Sequence, residues 1–73
     1  MLEKIKEMTA DALGVDADNL TAETSFEELG ADSLDLFELV MALEEEYGVE
    51  IPTEELETLK TIGDVEKYVE KSL

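Results

Sequence analysis

Apolar residues recur at helical spacing in several stretches of the chain, and a glycine closes each of the two longest stretches. The first stretch covers residues 2–13 and ends at Gly14. The second runs from Ser33 to Tyr47 and is closed by Gly48. Because residues three and four apart share one face of an α-helix, each stretch predicts an amphipathic helix. Glycine suits the left-handed residue that commonly ends a helix.

Two further helices are predicted in the last third of the chain. A short one follows Pro52, with Thr53 as its cap and with Leu56 and Leu59 pointing inward. The last helix begins at Thr61, and Asp64 three residues later gives a weak capping-box pattern. No stretch alternates apolar and polar residues as a strand does. The sequence therefore predicts an all-α fold, a small four-helix bundle of three main helices and one short helix.

A long connection, residues 15–32, separates the first two main helices. The median connection between secondary-structure elements has about 4–6 residues, so a connection this long needs side chains that anchor it to the core. Apolar residues are spaced to supply them: Val15, Leu20, Phe26 and Leu29. The segment 24–27 resembles a capping box and predicts a short helical turn before Gly30.

The second main helix has apolar residues on two opposite sides. A helical wheel places a core stripe on one side, composed of Leu36, Leu39, Val40, Leu43 and Tyr47. Leu34, Phe37 and Met41 fall on nearly the opposite side, among glutamates. We call these three residues the docking strip, because an apolar centre with charged edges is typical of a surface that binds a basic partner. Solvated glutamates with a few exposed apolar side chains are the alternative.

The chain is strongly acidic, with a formal net charge of −16. No basic residue lies between Lys6 and Lys60. Such a surface repels nucleic acid and anionic membranes and attracts basic proteins, although charge of this size also serves solubility alone. No apolar run approaches the roughly 20 residues of a membrane span. We therefore expect a cytoplasmic monomer that binds no nucleic acid and inserts into no membrane.

The acidic residues do not form a recognisable metal site. Residues 16–21 begin like a calcium-binding loop, but Leu20 stands at a ligand position and Thr21 where glycine is required. The chain has no cysteine, which excludes disulfides and thiolate metal sites. We expect only loose divalent binding by clusters such as residues 44–46.

Ser33 is the residue most open to covalent chemistry. A serine before an apolar helical run is usually an N-cap, and that alternative applies here. Nucleophilic catalysis needs an adjacent base, and the chain has no histidine. Every lysine lies near a terminus in sequence. The sequence therefore favours a serine that another protein modifies over a catalytic one, and we expect no enzymatic activity.

At these residues the chain resembles an acyl carrier protein. The resemblance rests on Leu29-Gly30-Ala31-Asp32-Ser33-Leu34-Asp35 and continues through residues 38–47 and 49–52. It is greatest to the free-standing carriers of bacterial fatty-acid synthesis, and it covers essentially the whole chain, residues 1–73, as a single carrier domain. It implies that Ser33 carries 4′-phosphopantetheine, installed from coenzyme A by a phosphopantetheinyl transferase with Mg²⁺. Acyl groups are then held as thioesters on the terminal thiol.

The resemblance also implies roles for other residues. Asp32 matches the acidic residue before the modified serine. Asp35, Glu38, Glu44 and Glu45 match acids that meet basic patches on fatty-acid-synthesis enzymes, and Leu34 and Met41 match apolar contacts there. Phe37 is a departure, a large residue that narrows or shifts partner choice. The implied acyl pocket is lined by apolar residues that also serve as ordinary core: Phe26, Leu43, Ile51, Leu56, Leu59, Ile62, Val65 and Tyr68.

Two alternatives remain at the level of sequence. The first keeps the carrier chemistry and changes the cargo to a polyketide chain or to D-alanine. The second is an acidic interaction module without a prosthetic group, in which Ser33 only caps its helix.

Overall fold

Three α-helices and two 3-10 segments make up the fold, in a computed structural model that describes residues 1–73. Helix α1 spans Leu2–Leu13, α2 spans Ser33–Tyr47 and α3 spans Ile62–Ser72. The 3-10 segments are Ala17–Asn19 and Thr53–Glu57. Helix α1 packs against both α2 and α3, and α2 contacts the second 3-10 segment. The predicted all-α bundle of three main helices and one short helix is confirmed.

The two predicted glycine stops are confirmed. Gly14 and Gly48 have φ angles of 70° and 65°, in the left-handed region. The Gly14 N–H donates to the Ala10 carbonyl at 2.8 Å, and the Gly48 N–H donates to the Glu44 carbonyl at 2.9 Å. Each glycine therefore ends its helix by satisfying a carbonyl that the helix leaves free.

Helix α3 begins with a complete capping box, as the sequence predicted. The Asp64 N–H donates to the Thr61 hydroxyl at 3.1 Å, and the Thr61 N–H donates to the Asp64 carboxylate at 3.1 Å. Thr61 is the N-cap and the first helical residue is Ile62. The two reciprocal bonds fix the direction in which α3 leaves the preceding loop.

The cap predicted for the short helix is wrong. This helix is a 3-10 segment whose N-cap is Pro52, and the Thr53 side chain makes no capping bond. The Pro52 carbonyl already accepts from the Glu55 N–H at 2.9 Å, which places Thr53 inside the first turn rather than before it. Leu59 is buried and Leu56 half-buried, in agreement with the predicted inward faces.

The core joins one face of each helix to apolar residues of the long connection and of residues 48–61, which link α2 to α3. Ile5, Leu39, Leu43, Ile62, Val65 and Val69 are fully buried. Thr9 is also fully buried, and its hydroxyl donates to the Ile5 carbonyl at 2.8 Å, so no polar atom is left unsatisfied there. Ala10 and Val49 also belong to the core, although the sequence pattern did not assign them to it.

Backbone hydrogen bonds that the sequence did not predict hold the long connection in place. It runs antiparallel to the segment before and into α3. The N–H of Phe26 donates to Lys60 O at 2.9 Å, and the N–H of Ile62 donates to Thr24 O at 3.1 Å. The N–H of Gly63 donates to Ala22 O at 2.7 Å. The predicted anchors contribute as well, since Leu20 and Phe26 are buried and Val15 and Leu29 half-buried.

The capping box predicted at residues 24–27 is wrong by one residue. The Thr24 hydroxyl accepts from the Thr21 N–H at 2.9 Å and so closes the preceding turn. The reciprocal pair is Ser25 and Glu28, joined by Glu28 N to Ser25 Oγ at 3.1 Å and Ser25 N to Glu28 Oε1 at 3.3 Å. These bonds begin consecutive hydrogen-bonded turns rather than a helix.

No helix of the fold combines the length and the apolar character that crossing a bilayer requires.

Candidate functional site

A tight turn carries the chain from the core to the start of α2. Phe26 is only 5 % exposed, and its carbonyl accepts from the N–H groups of Leu29 at 3.2 Å and Ala31 at 3.0 Å. Gly30 completes the turn with a φ of 73°, in the left-handed region that favours glycine. Because Phe26 is buried and anchors this turn, it fixes where Asp32 and Ser33, which follow the turn, reach the surface.

Asp32, not Ser33, is the N-cap of α2. Its carboxylate accepts from the Asp35 N–H at 3.0 Å, and the Asp35 carboxylate accepts from the Asp32 N–H at 3.4 Å. Ser33 is the first residue inside the helix. The alternative that Ser33 serves as the cap is therefore wrong, because the preceding aspartate already performs that task.

The Ser33 hydroxyl is exposed and makes no hydrogen bond within the chain. Both other serines are engaged. The Ser25 hydroxyl accepts from the Glu28 N–H at 3.1 Å, and the Ser72 hydroxyl donates to the Tyr68 carbonyl at 2.9 Å. Ser33 is thus the serine whose oxygen is free for an incoming reagent.

The backbone around Ser33 favours an anion. The N–H groups of Ser33 and Leu34 have no intrachain acceptor, since the capping bonds begin at Asp35 and Leu36. Unpaired N–H groups and the helix dipole together give the start of a helix a partial positive charge. An acidic ester on the Ser33 oxygen would lie next to these donors.

The docking strip lies outward on α2, as the helical wheel predicted. Leu34 is 64 % exposed, Phe37 41 % and Met41 48 %. On the opposite side, Leu39, Val40 and Leu43 are buried. The strip begins at the residue directly after Ser33, so a protein that covers it also reaches the serine.

The acidic residues predicted for docking fall into two groups in the structure. The carboxylates of Glu38 and Glu45 make no hydrogen bond or ion pair within the chain and are exposed. Asp35 takes part in the capping box, and Glu44 accepts from the Ile51 N–H at 2.9 Å. Sequence reasoning missed the Glu44 bond, because it depends on how the chain turns after Gly48.

The residues predicted to line an acyl pocket are packed against each other with no enclosed cavity between them. Phe26, Leu43 and Ile51 are buried, and the set as a whole contributes to the core or packs against it. Leu59 and Tyr68 touch an open surface depression of about 220 Å³, whose other walls are polar. In this closed state the residues are core.

No group of three or more acidic side chains converges in a geometry that would hold a metal ion.

The chain matches the family model described as "Phosphopantetheine attachment site" over residues 3–69. Among solved structures it resembles an acyl carrier protein from Thermotoga maritima, with 33% sequence identity and a TM-score of 0.81. That match covers 94% of this chain and 81% of the other. It also resembles a chain in a structure described as the ishigamide ketosynthase/chain length factor, with 28% identity and a TM-score of 0.78. This second match covers 97% of this chain and 90% of the other.

The family match spans almost the whole bundle, including the turn, the capping box and the free serine described above. The chain belongs to the acyl carrier protein family, whose prosthetic group is a covalently attached 4′-phosphopantetheine.

Proposed function

We propose that Ser33 is the attachment site of 4′-phosphopantetheine and that residues 1–73 act as a single carrier domain. The observation that carries this proposal is the state of the Ser33 hydroxyl, which is exposed and free of intrachain bonds at the start of α2. Asp32 supports the same assignment, because its capping bond holds the backbone beside the serine and leaves the hydroxyl unused.

The residues present fit a phosphodiester at this position. The free N–H groups of Ser33 and Leu34 and the helix dipole favour a negative charge on the Ser33 oxygen. The carboxylates of Asp32 and Asp35 oppose it, but at an exposed site their repulsion is screened by water and salt. The exposed helix start can therefore accommodate the negative charge of a phosphodiester.

The proposed role is to carry acyl groups rather than to transform them. When bound, the prosthetic group supplies the thiol that holds acyl groups as thioesters, a thiol that this cysteine-free chain lacks. The chain has no histidine to serve as a base for Ser33. We therefore assign the attachment chemistry to a phosphopantetheinyl transferase, which uses coenzyme A and Mg²⁺, and assign no catalytic residue to this chain.

We propose that partner enzymes bind the docking strip and its acidic border. Leu34, Phe37 and Met41 supply exposed apolar surface next to Ser33. Glu38 and Glu45 supply carboxylates free of intrachain bonds, which suit a basic patch on the partner. Asp35 and Glu44 complete the predicted acidic set, with their carboxylates already bonded to the backbone.

Fatty-acid synthesis is the pathway class that we propose, with fatty acyl chains as cargo and the synthesis enzymes as partners. The acyl carrier protein from Thermotoga maritima supports the carrier role at 33% identity. The likeness to a chain of the ketosynthase/chain length factor structure supports a polyketide-type cargo as the second candidate. Holo protein offered separately to a fatty-acid-type acyltransferase and to a polyketide-type loading enzyme distinguishes the two, since only the cognate enzyme gives efficient thioester formation.

We also propose that a bound acyl chain enters between the helices, among the predicted pocket residues. The closed packing requires these residues to part, which a small bundle with one main core permits at modest cost.

A monomer fits the like charge of −16, and a cytoplasmic location fits modification from coenzyme A.

The test of the attachment site is mass spectrometry of protein treated with coenzyme A, Mg²⁺ and a broad-specificity phosphopantetheinyl transferase. Fragmentation of the modified protein should place the added group on Ser33 and on neither Ser25 nor Ser72. A group mapped to another residue would overturn the assignment. Complete absence of modification in folded protein would favour the acidic interaction module instead.

A further inference from the structure

Glu44 makes a hydrogen bond that sets it apart from the other acids of α2. Its Oε2 accepts from the backbone N–H of Ile51 at 2.9 Å, across seven residues of sequence. Glu44 is half-buried, whereas its neighbours Glu45 and Glu46 are exposed. The carboxylate therefore acts on its own chain, while the family resemblance would assign it to partner docking.

The turn after α2 brings the two groups together. The backbone carbonyl of Glu44 accepts from the Gly48 N–H at 2.9 Å, and Gly48 has a φ of 65°. This left-handed residue reverses the chain, so that Val49 and Ile51 reach the core with 8 % and 5 % of their surface exposed. Glu44 thus holds the reversed segment at both ends, through its carbonyl at Gly48 and its carboxylate at Ile51.

The bond to Glu44 is the one hydrogen bond that the Ile51 N–H makes within the chain. Removing the carboxylate would therefore leave the N–H of this buried residue without a partner in the chain. Pro52 follows directly and has no N–H to contribute another bond. The Glu44 carboxylate is therefore the polar contact that fixes segment 49–51 against α2.

This segment forms one wall of the proposed acyl pocket. Ile51 and Leu43 both belong to the predicted lining and both are buried, and Leu43 directly precedes Glu44 on α2. The 3-10 segment Thr53–Glu57 begins just beyond Pro52 and contacts α2. An acyl chain that enters between Leu43 and Ile51 would therefore have to displace the backbone that Glu44 holds.

We propose that Glu44 is a positioning residue that latches Ile51 onto α2 and thereby sets how readily the acyl pocket opens. The latch itself is a property of the unmodified chain, whereas its effect on acyl chains rests on the proposed carrier function. Hydrogen-bond acceptance is what the latch needs from residue 44, and negative charge is what docking would need. The two roles are separable by substitution.

The first test measures hydrogen exchange of the Ile51 amide by NMR in the unmodified protein. Glu44→Ala should speed exchange by roughly tenfold or more, because the free energy of a lost hydrogen bond to a charged group corresponds to a factor of that size. Glu44→Gln keeps an acceptor oxygen and should stay within a few-fold of wild type. The matched control Glu45→Ala, which removes an exposed carboxylate without an intrachain bond, should leave the exchange rate unchanged. Equal rates in Glu44→Ala and wild type would overturn the latch, as would equally fast exchange in both Glu44 variants.

The second test uses protein carrying a long saturated acyl group on the prosthetic arm. Acylation should raise the melting temperature of wild type and of Glu44→Gln by similar amounts over the unacylated holo form. Glu44→Ala should differ from wild type both in the gain in melting temperature on acylation and in the rate at which hydroxylamine cleaves the thioester. Glu45→Ala should match wild type in both. If Ile51 exchange responds to Glu44→Ala and these acyl readouts do not, the role in pocket opening is overturned.

Two observations keep the proposal testable if a variant does not fold or if Ser33 proves unmodified. A scalar coupling through the hydrogen bond, between the Ile51 nitrogen and the Glu44 carboxyl carbon, is expected in wild-type protein, and its absence would overturn the latch. The exchange measurement needs no prosthetic group, so failure of the carrier function appears as unmodified protein with the Ile51 response intact.

Discussion

The carboxylate of Asp32 accepts a hydrogen bond from the backbone N–H of Asp35 at 3.0 Å, and the Asp35 carboxylate accepts from the Asp32 N–H in return. This reciprocal pair closes the start of α2 around Ser33 without using its hydroxyl. Two properties that the proposed attachment site needs are thus supplied by different residues. Asp32 and Asp35 cap the helix start, and Ser33 keeps an exposed hydroxyl without a partner.

Replacing the cap should cost stability, and replacing the proposed attachment residue should not. Asp32→Ala removes the side-chain acceptor of the Asp35 N–H and should lower the free energy of unfolding by about 1 kcal/mol. Ser33→Ala removes an exposed hydroxyl without partners and should change it by less than about 0.5 kcal/mol. Urea unfolding followed by circular dichroism measures both. A larger loss in Ser33→Ala than in Asp32→Ala would contradict the assignment of the cap.

Gly63→Ala should destabilise the fold, although ordinary helix propensity favours alanine over glycine. A Cβ at this position would lie 2.8 Å from the Ala22 carbonyl oxygen, which also accepts the Gly63 N–H. Alanine is favoured over glycine within helices by about 1 kcal/mol, yet here we expect Gly63→Ala to destabilise by about 1–3 kcal/mol because backbone must move. Thermal unfolding provides the measurement, and a stabilised variant would show that the loop is not pinned to α3 as described.

Salt should raise the melting temperature. The formal net charge is −16, and two ion pairs, Lys4–Glu46 and Lys6–Glu3, offset little of the repulsion. NaCl and MgCl₂ at matched ionic strength should both stabilise the fold by screening. Differential scanning calorimetry over a salt titration tests this. A melting temperature that does not change with salt would mean that self-repulsion is not a significant term in its stability.

A free carboxylate on α2 should contribute to partner binding more than one on α3. Glu45→Gln should lower kcat/KM for the phosphopantetheinyl transferase by up to about fivefold at low salt, the size expected for an exposed ion pair. The matched control is Glu70→Gln, which removes an exposed carboxylate from α3. Both variants should be at least as stable as wild type, because each removes one negative charge from a self-repelling chain. If the two substitutions reduce kcat/KM equally at every salt concentration, net charge rather than the α2 surface governs the encounter.

The helices and their faces follow from local pattern, which is why they could be predicted. Gly14 and Gly48 end their helices through a local backbone requirement, and the spacing of Leu39, Val40 and Leu43 defines the buried face of α2. The exposed strip of Leu34, Phe37 and Met41 could be recognised for the same reason, because a residue's place on a helix depends only on its number.

The contacts that the sequence did not predict depend on residues distant in sequence or on competition between neighbours. The pairing of Gly63 with Ala22 and the bond from Ile51 to Glu44 require the folded path of a loop. Aspartate and serine are both favourable N-cap residues, so the sequence alone could not show whether Asp32 or Ser33 takes that role. Only the folded chain shows that the serine is left free.

The most direct test of the carrier role is the intact mass of the protein after incubation with coenzyme A, Mg²⁺ and a broad-specificity phosphopantetheinyl transferase. Ser33→Ala and Ser72→Ala serve as paired controls, each folded by circular dichroism. We predict that wild type and Ser72→Ala gain the mass of one phosphopantetheine and that Ser33→Ala gains none. Modification of Ser33→Ala, or no gain by folded wild type, would contradict the proposal that Ser33 carries the prosthetic group.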